Sequence, residues 1–357
     1  MTSRGGSKAR LLTFLFTGLF TLSLIAELEA AEIGKNLDEI TRLASKEGKV
    51  RIATSWEGEI IKAVAKGFTK KYPKLSFDLD RVSGLDSRER ILNEAMAGLV
   101  ENDLVNVSGE LRTQYIKGGV MVGSIPWQKL FPDLEEFNFS PDGYFVATGF
   151  SRYGILYNPK QVPADRVPKK WDDCLDPYWK GKIAVYTRPR TFTGLYPGWG
   201  KEKTIGYATR LKNNQPVWVS DQTGAATQIA AGEYPAGCGF PYHTFLNVLR
   251  RDPKADLKFV VPPDLPIQIG EALAVMKGAK SPNASVLLAA YLVTPEGQDA
   301  YELYGRSSPF SKGSAAWKVL QETKAKAIWG GWDFVGEPEA RAAKEIIQAW
   351  GFPKGRK

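Results

Sequence analysis

Apolar positions recur at helical spacing over Leu37, Ile40, Leu43 and Ala44, and Gly48 ends the run, which predicts an opening amphipathic helix. Lys49 to Ala53 reads as a strand that runs out into Thr54, Ser55 and Trp56. Ile60, Ile61, Val64 and Phe68 then put one apolar face on a helix that begins near Glu59 and stops before Tyr72 and Pro73. Leu75 to Val82 is a second strand, Ser83 to Asp86 its polar turn, and Arg88 to Ala97 the next helix. Asp103 to Val107 is a third strand, followed by Ser108, Gly109 and another helix. Strand, polar or glycine-containing turn and helix thus recur three times before residue 120. That is the pattern of a parallel sheet with its loops on one edge.

The pattern changes after the connection around Trp127 and Pro132. Tyr144 to Thr148 and Tyr153 to Tyr157 read as two aromatic, β-rich runs parted by Gly149, and Asn158-Pro159 ends the second. Paired extended segments of this kind can pass from one lobe to another. Lys182 to Tyr186 resumes the parallel pattern, with the turn Arg188 to Gly194 at its C-terminal end. Val217 to Val219 is a short strand, and Asp221 to Gly224 carries the polar cap and glycine of a helix start. Ala225, Ala226, Ile229 and Ala230 form that helix's narrow apolar face, Gly232 stops it, and Glu233 to Phe240 returns as a strand. If the two strands are parallel, Asp221, Gln222 and Thr223 share a sheet edge with Tyr242, His243 and Thr244, beside a helix N-terminus that favours anions. An ordinary crossover with a polar rim is the alternative. Leu257 to Val261, a Pro262-Pro263 break, a strand from Ile267 to Met276 interrupted by Gly270-Glu271, and a helical remainder complete the chain.

Residues 1–30 differ from the rest. Arg4, Lys8 and Arg10 precede the uncharged run Leu11 to Ile25, and Leu28-Glu29-Ala30 ends in the small residue a signal peptidase requires, so a cut after Ala30 is expected. An uncleaved anchor is the competing reading, disfavoured by the shortness of the run. No cysteine follows it, which excludes a lipoprotein anchor, and no later segment is apolar enough to span a membrane. The expected product is an exported protein that is not membrane-embedded. The 357 residues suffice for two lobes of ordinary domain size. The net charge of +9 suits anionic ligands or an acidic partner surface as well as simple solubility. The basic residues are scattered without aromatic interleaving, so nucleic acid is not expected. Cys174 and Cys238 are the only cysteines and form either one disulfide or two buried thiols.

Catalysis is not expected. With one histidine, a serine triad would need His243 as its base, and the chain has neither a Gly-x-Ser-x-Gly elbow nor a His-Glu-x-x-His metal motif.

Several segments together carry a family resemblance: Val50 to Trp56 with its helix, Tyr153 to Pro159, Trp171 to Ile183, Ala231 to Ala236, Ala272 to Val275, and Thr294 to Gly297. Their order resembles the bacterial extracellular solute-binding proteins of ABC importers, in the group with ferric-ion, polyamine and phosphonate binders. The resemblance implies an α/β, two-lobed periplasmic-binding-protein fold of type II, each lobe a mostly parallel sheet flanked by helices, joined by crossing hinge strands. Residues 31–148 and 271–323 are expected in lobe 1, and 149–270 and 324–357 in lobe 2. It also implies a periplasmic monomer that closes over one small-molecule or metal ligand and delivers it to an inner-membrane ABC permease. Strand-end positions nominate Ser55, Trp56, Ser83, Gly84 and Ser108 from the first lobe, and Arg188, Thr191, Thr193, Asp221, Thr223, Tyr242 and His243 from the second.

For the ligand, the resemblance implies ferric iron or an iron–anion complex. Ferric binders of the group lead from a Gly-Glu-x-Pro-Ala segment into two adjacent tyrosines that hold the metal; here Gly232 to Ala236 leads to Tyr242 and His243. Fe3+ would then be transported cargo held by those two residues, with no resident cofactor. The second position is a histidine, and no histidine stands near Trp56, so the set departs from the family's. The rival is a small organic anion, carboxylate or phosphonate, bound by Arg188, Thr191, Thr193 and the helix start at Thr223, with Trp56 and Tyr242 over its apolar parts. A polyamine-type cation is a further alternative.

Overall fold

The computed structural model describes residues 32–82 and 84–352. The expected leader, residues 1–30, lies outside the described residues, as does Ser83. Asn36 opens helix Leu37–Glu47 by accepting a 2.9 Å hydrogen bond from the Glu39 amide, and Gly48, at φ 76°, closes it. Ile40 and Ala44 are the positions it buries. The same local logic starts helix Gln222–Ala231, where the Asp221 carboxylate accepts from the Thr223 and Gly224 amides at 2.9 and 3.0 Å. Gly232, left-handed at φ 87°, ends it.

Among the described residues ten strands follow in chain order: β1 (Lys49–Thr54), β2 (Ser76–Arg81), β3 (Leu104–Asn106), β4 (Val146–Tyr157), β5 (Ile183–Tyr186), β6 (Val217–Val219), β7 (Ala236–Pro241), β8 (Lys258–Val260), β9 (Asp264–Val275) and β10 (Lys326–Ile328). They lie in the order β2-β1-β3-β9-β4-β7-β5-β6, with β10 beside β9 and β8 beside β4. The triplets β2-β1-β3 and β7-β5-β6 are each parallel. Between them run the two long strands β4 and β9, antiparallel to each other from Val146↔Leu273 to Arg152↔Ile267. One end of β9 pairs with β3, and the far end of β4 pairs with β7. These two strands therefore connect both triplets, and the parallel edges that carry polar turns face the region they cross.

Several expectations shift. The two β-rich runs around Gly149 are one strand, β4. Gly149 is a register irregularity within it, placed where a Cβ would come 2.9 Å from the Tyr301 ring. The strand expected from Glu233 begins at Ala236, because Pro235 is still in the turn whose carbonyl accepts from the Asn158 amide at 2.9 Å. β6 and β7 are parallel to a common neighbour, β5, and do not touch, so the edge at Asp221 stands one strand further from Tyr242 than a direct pairing would place it. The helical remainder also contains β10. Cys174 and Cys238 are both buried and free, and Cys238 Sγ lies 3.6 Å from the Tyr207 hydroxyl. Among the described residues no helix is long and apolar enough to cross a membrane.

Candidate functional site

The turns after β1 and β3, the middles of β4 and β9, and the starts of several helices enclose a cavity of about 300 Å³. Ser55 comes from the end of β1, Gly84 and Arg88 from helix Gly84–Met96, and Asn106 to Gly109 from the end of β3. Arg190 and Gly194 come from the start of helix Arg190–Asn213, Gln222 and His243 from two helix N-termini, and Gln268 and Gly270 from β9. Tyr153, Tyr304, Arg306, the run Trp329 to Trp332 and the carboxylate-bearing Glu339 form much of the rest of the wall.

Three arginines dominate its electrostatics. Arg88 donates to the Gly84 carbonyl at 2.8 Å and, through Nε, to the Asn106 carbonyl at 3.3 Å. Arg306 donates to the Gly270 carbonyl at 3.1 Å, and its Nη2 is 3.3 Å from His243 Nε2. Arg190 Nε reaches Gln268 Oε1 at 3.4 Å; the same amide oxygen accepts from the Tyr153 hydroxyl, and its nitrogen donates to Thr193 Oγ1 and Glu339 Oε1. All three are thus oriented by neutral partners. Among the described residues, Arg112 and Arg152 are ion-paired, to Asp142 and Glu302, whereas Arg88, Arg190 and Arg306 have no carboxylate within 4.0 Å.

Proton affinities follow from this crowd of cations. Burial, then Arg306 and the more distant Arg190, Arg152 and Arg250, hold His243 well below the ordinary histidine range. Tyr153, with Glu110 and Glu339 behind it, keeps Arg190 charged despite its burial. Arg190 in turn lowers Glu110, while desolvation raises Glu339. Burial lowers Arg88.

Of the residues nominated from sequence, Ser55, Gly84, Ser108 and His243 line the cavity. Trp56 does not. It is fully buried in the hydrophobic core, edge-on to Phe77 and Tyr301, with its indole N–H donating to Glu271 at 2.9 Å. Thr191 is buried and spends its hydroxyl on the Gly239 carbonyl at 2.7 Å. Thr193 and an exposed Arg188 line a separate recess of about 160 Å³. Asp221 is a helix cap, and the Thr223 amide is its partner, so that helix start is satisfied from within. Tyr242 is not among the cavity's lining residues; its ring packs on Phe245 and Phe259, with the Arg152 guanidinium 4.4 Å from its centroid.

Sequence reasoning missed Arg88, Arg190, Arg306, Gln268, Tyr304 and Trp329. The Arg190 signal was present in the turn that nominated Arg188. The helix begins at Arg190 rather than earlier, and this turns the second arginine inward. Arg88 stands four residues after Gly84, one helical turn on, so it returns to the face that Gly84 opens.

The profile of the bacterial extracellular solute-binding proteins matches residues 103–337. This chain belongs to that family. An uncharacterised protein of Haemophilus influenzae is 26% identical over 197 residues, a stretch that covers 52% of this chain and 54% of the relative. This solute-binding protein therefore aligns with only about half of that relative's length. Among solved structures, iron-bound HitA from Pseudomonas aeruginosa is 18% identical with a TM-score of 0.65, covering 85% of this chain and 99% of HitA. The Trichodesmium protein IdiA (FutA), solved with iron and citrate, is 20% identical at the same TM-score and coverage. These likenesses establish the fold, the two-lobed type II periplasmic-binding architecture, and the family is one of transport binding proteins rather than enzymes.

Proposed function

We propose that this solute-binding protein captures a small organic anion, a carboxylate or phosphonate, between its lobes and delivers it to an inner-membrane ABC permease. The observation that carries the reading is the convergence of Arg88, Arg190 and Arg306 on one cavity, where Glu339 is also part of the wall but, among the described residues, no carboxylate lies within 4.0 Å of any of the three. Half-buried arginines whose nearest partners are neutral leave fork donors for an anion, which an entering ligand meets in charge-assisted, bidentate geometry. Export through residues 1–30 would set the protein in the periplasm, working as a monomer. Strands β4 and β9 are the hinge in this reading, with the lobes at 31–148 plus 271–323 and 149–270 plus 324–357. Ligand contacts from both lobes then favour the closed state that a permease distinguishes.

A second reading is favoured by the names of the structural relatives: iron carried as a complex with an organic anion, whose carboxylates the arginines would hold. Bare Fe3+ fits the donor set less well. Tyr242 stands outside the cavity lining, His243 Nε2 is turned to Arg306, and among the described residues no three His, Cys, Asp or Glu cluster as a metal site. A polyamine would meet three like charges. Calorimetric titration of the mature chain with methylphosphonate, succinate, citrate, ferric citrate, ferric chloride and spermidine tests these readings. Binding of one of the iron-free anions is the expected result. Binding of ferric citrate without citrate supports the iron complex, and binding of spermidine or ferric chloride alone overturns the anion reading.

A further inference from the structure

We infer that the cargo joins its acidic head to a flat aromatic body, placing it among aryl carboxylates or aryl phosphonates; this deepens the anion reading above and rests on it. The cavity wall has two chemically distinct parts. At one, Arg306 is gathered with His243, the Gly270 carbonyl and Tyr304, whose ring centroid is 4.8 Å from the guanidinium. At the other, Phe145 and Trp332 stack at 6.4 Å, capped by Arg112, whose charge is already met by Asp142 at 2.8 Å. Trp332 has committed its indole N–H to the Phe137 carbonyl at 2.9 Å. Phe145 is fully buried and Trp332 nearly so, so this pair backs the wall, and the ring surface open to a ligand is that of Trp329.

The segment Trp329-Gly330-Gly331-Trp332 sharpens the point. Trp329 lines the cavity half-buried, backed by Phe310 at 5.1 Å. Between the tryptophans the chain is bare: a Cβ on Gly330 would come 2.4 Å from Phe334 Cβ, and Gly331 sits at φ 68° with open space where a Cβ would be. Gly330 is thus fixed by close packing on Phe334, while Gly331, on the cavity wall, leaves the backbone open to close approach by a ligand. Volume points the same way. A cavity of about 300 Å³ is the size of a site for a whole small molecule, at the low end of roughly 300–1,000 Å³, and exceeds what an acidic group alone requires. An aryl body fills what is left against surfaces that gain from losing water.

The test is calorimetry on the mature chain with phenylphosphonate, benzoate, methylphosphonate, acetate and benzyl alcohol. Phenylphosphonate is expected to bind about tenfold or more tightly than methylphosphonate, and benzoate likewise over acetate. Trp329→Ala brings both ratios toward one. Should that variant melt early, Trp329→Leu, which keeps apolar packing on Phe310, is read instead and lowers the ratios too. Equal affinity for aryl and methyl anions overturns this inference and leaves the anion reading standing, as do ratios unchanged in both variants. Benzyl alcohol binding as tightly as phenylphosphonate overturns the anion reading while keeping the aromatic one. Failure of every probe to bind sinks both.

Discussion

Arg306 Nη2 lies 3.3 Å from Nε2 of His243, the only histidine in the chain. A guanidinium has donors and no acceptor, so the imidazole accepts at Nε2 and carries its proton on Nδ1, a buried atom with no partner among the described residues. The histidine is thereby neutral, and its lone pair is spent on an arginine rather than offered to a metal. The same contact fixes where the Arg306 fork points.

Stability should fall on acidification through this residue. Burial and four surrounding arginines depress the folded-state affinity of His243 well below 6.5, so below about pH 6.5 the unfolded chain binds a proton that the folded chain refuses. The contribution is absent at neutral pH and grows as pH falls from 6.5 toward the depressed folded value. Chemical denaturation at pH 7.5 and pH 5 should show a smaller acid loss for His243→Gln than for the natural sequence. An equal loss in both would show that His243 is not the group responsible.

Removing one cavity arginine should weaken anion binding sharply. A hydrogen bond to a charged group contributes about 1.5–3 kcal/mol, so Arg190→Gln or Arg306→Gln should cost on the order of ten- to a hundredfold in affinity. Arg190→Lys should restore little of it, because a point charge does not reproduce a fork. Titration of the three variants with the best anion measures this, and an unchanged affinity in Arg190→Gln contradicts the placement.

Trp56 is expected to matter for stability and not for ligand. Trp56→Phe keeps the ring contacts with Phe77 and Tyr301 but strips the 2.9 Å donor from the Glu271 carboxylate, which is 1% exposed. The loss should be about 1–3 kcal/mol in denaturant unfolding, with affinity within about twofold of the parent. A selective loss of affinity would return Trp56 to the site.

Tyr242→Phe should likewise leave anion affinity within about twofold. It removes only a hydroxyl from a ring held by Phe245, Phe259 and Arg152. The same variant, titrated with ferric citrate, checks the iron reading: a visible phenolate absorption band present in the parent and lost in the variant would place Tyr242 on the metal.

Local features were readable because they are decided within a few residues. Gly48 and Gly232 end helices where only a glycine sits easily at positive φ, and Asp221 caps the helix whose apolar face is Ala225, Ala226 and Ile229. That same locality misled at the site. Asp221 looked like a ligand residue because it is polar and at a strand end, which is also what makes it a cap. Gly149 looked like a break between strands, since a bulge and a turn use glycine for the same freedom.

By itself the sequence determined the alternation of strand, turn and helix, the helix ends, and the membership that those ordered segments imply, since periodicity and capping are short-range physics. Which polar side chains meet was decided by the tertiary structure. Arg88, Arg190 and Arg306 come from three distant parts of the chain and line one cavity only because β4 and β9 join the two parallel triplets. Trp56 and Trp329 carry the same side chain; packing alone put one beside Glu271 in the core and the other on the cavity wall.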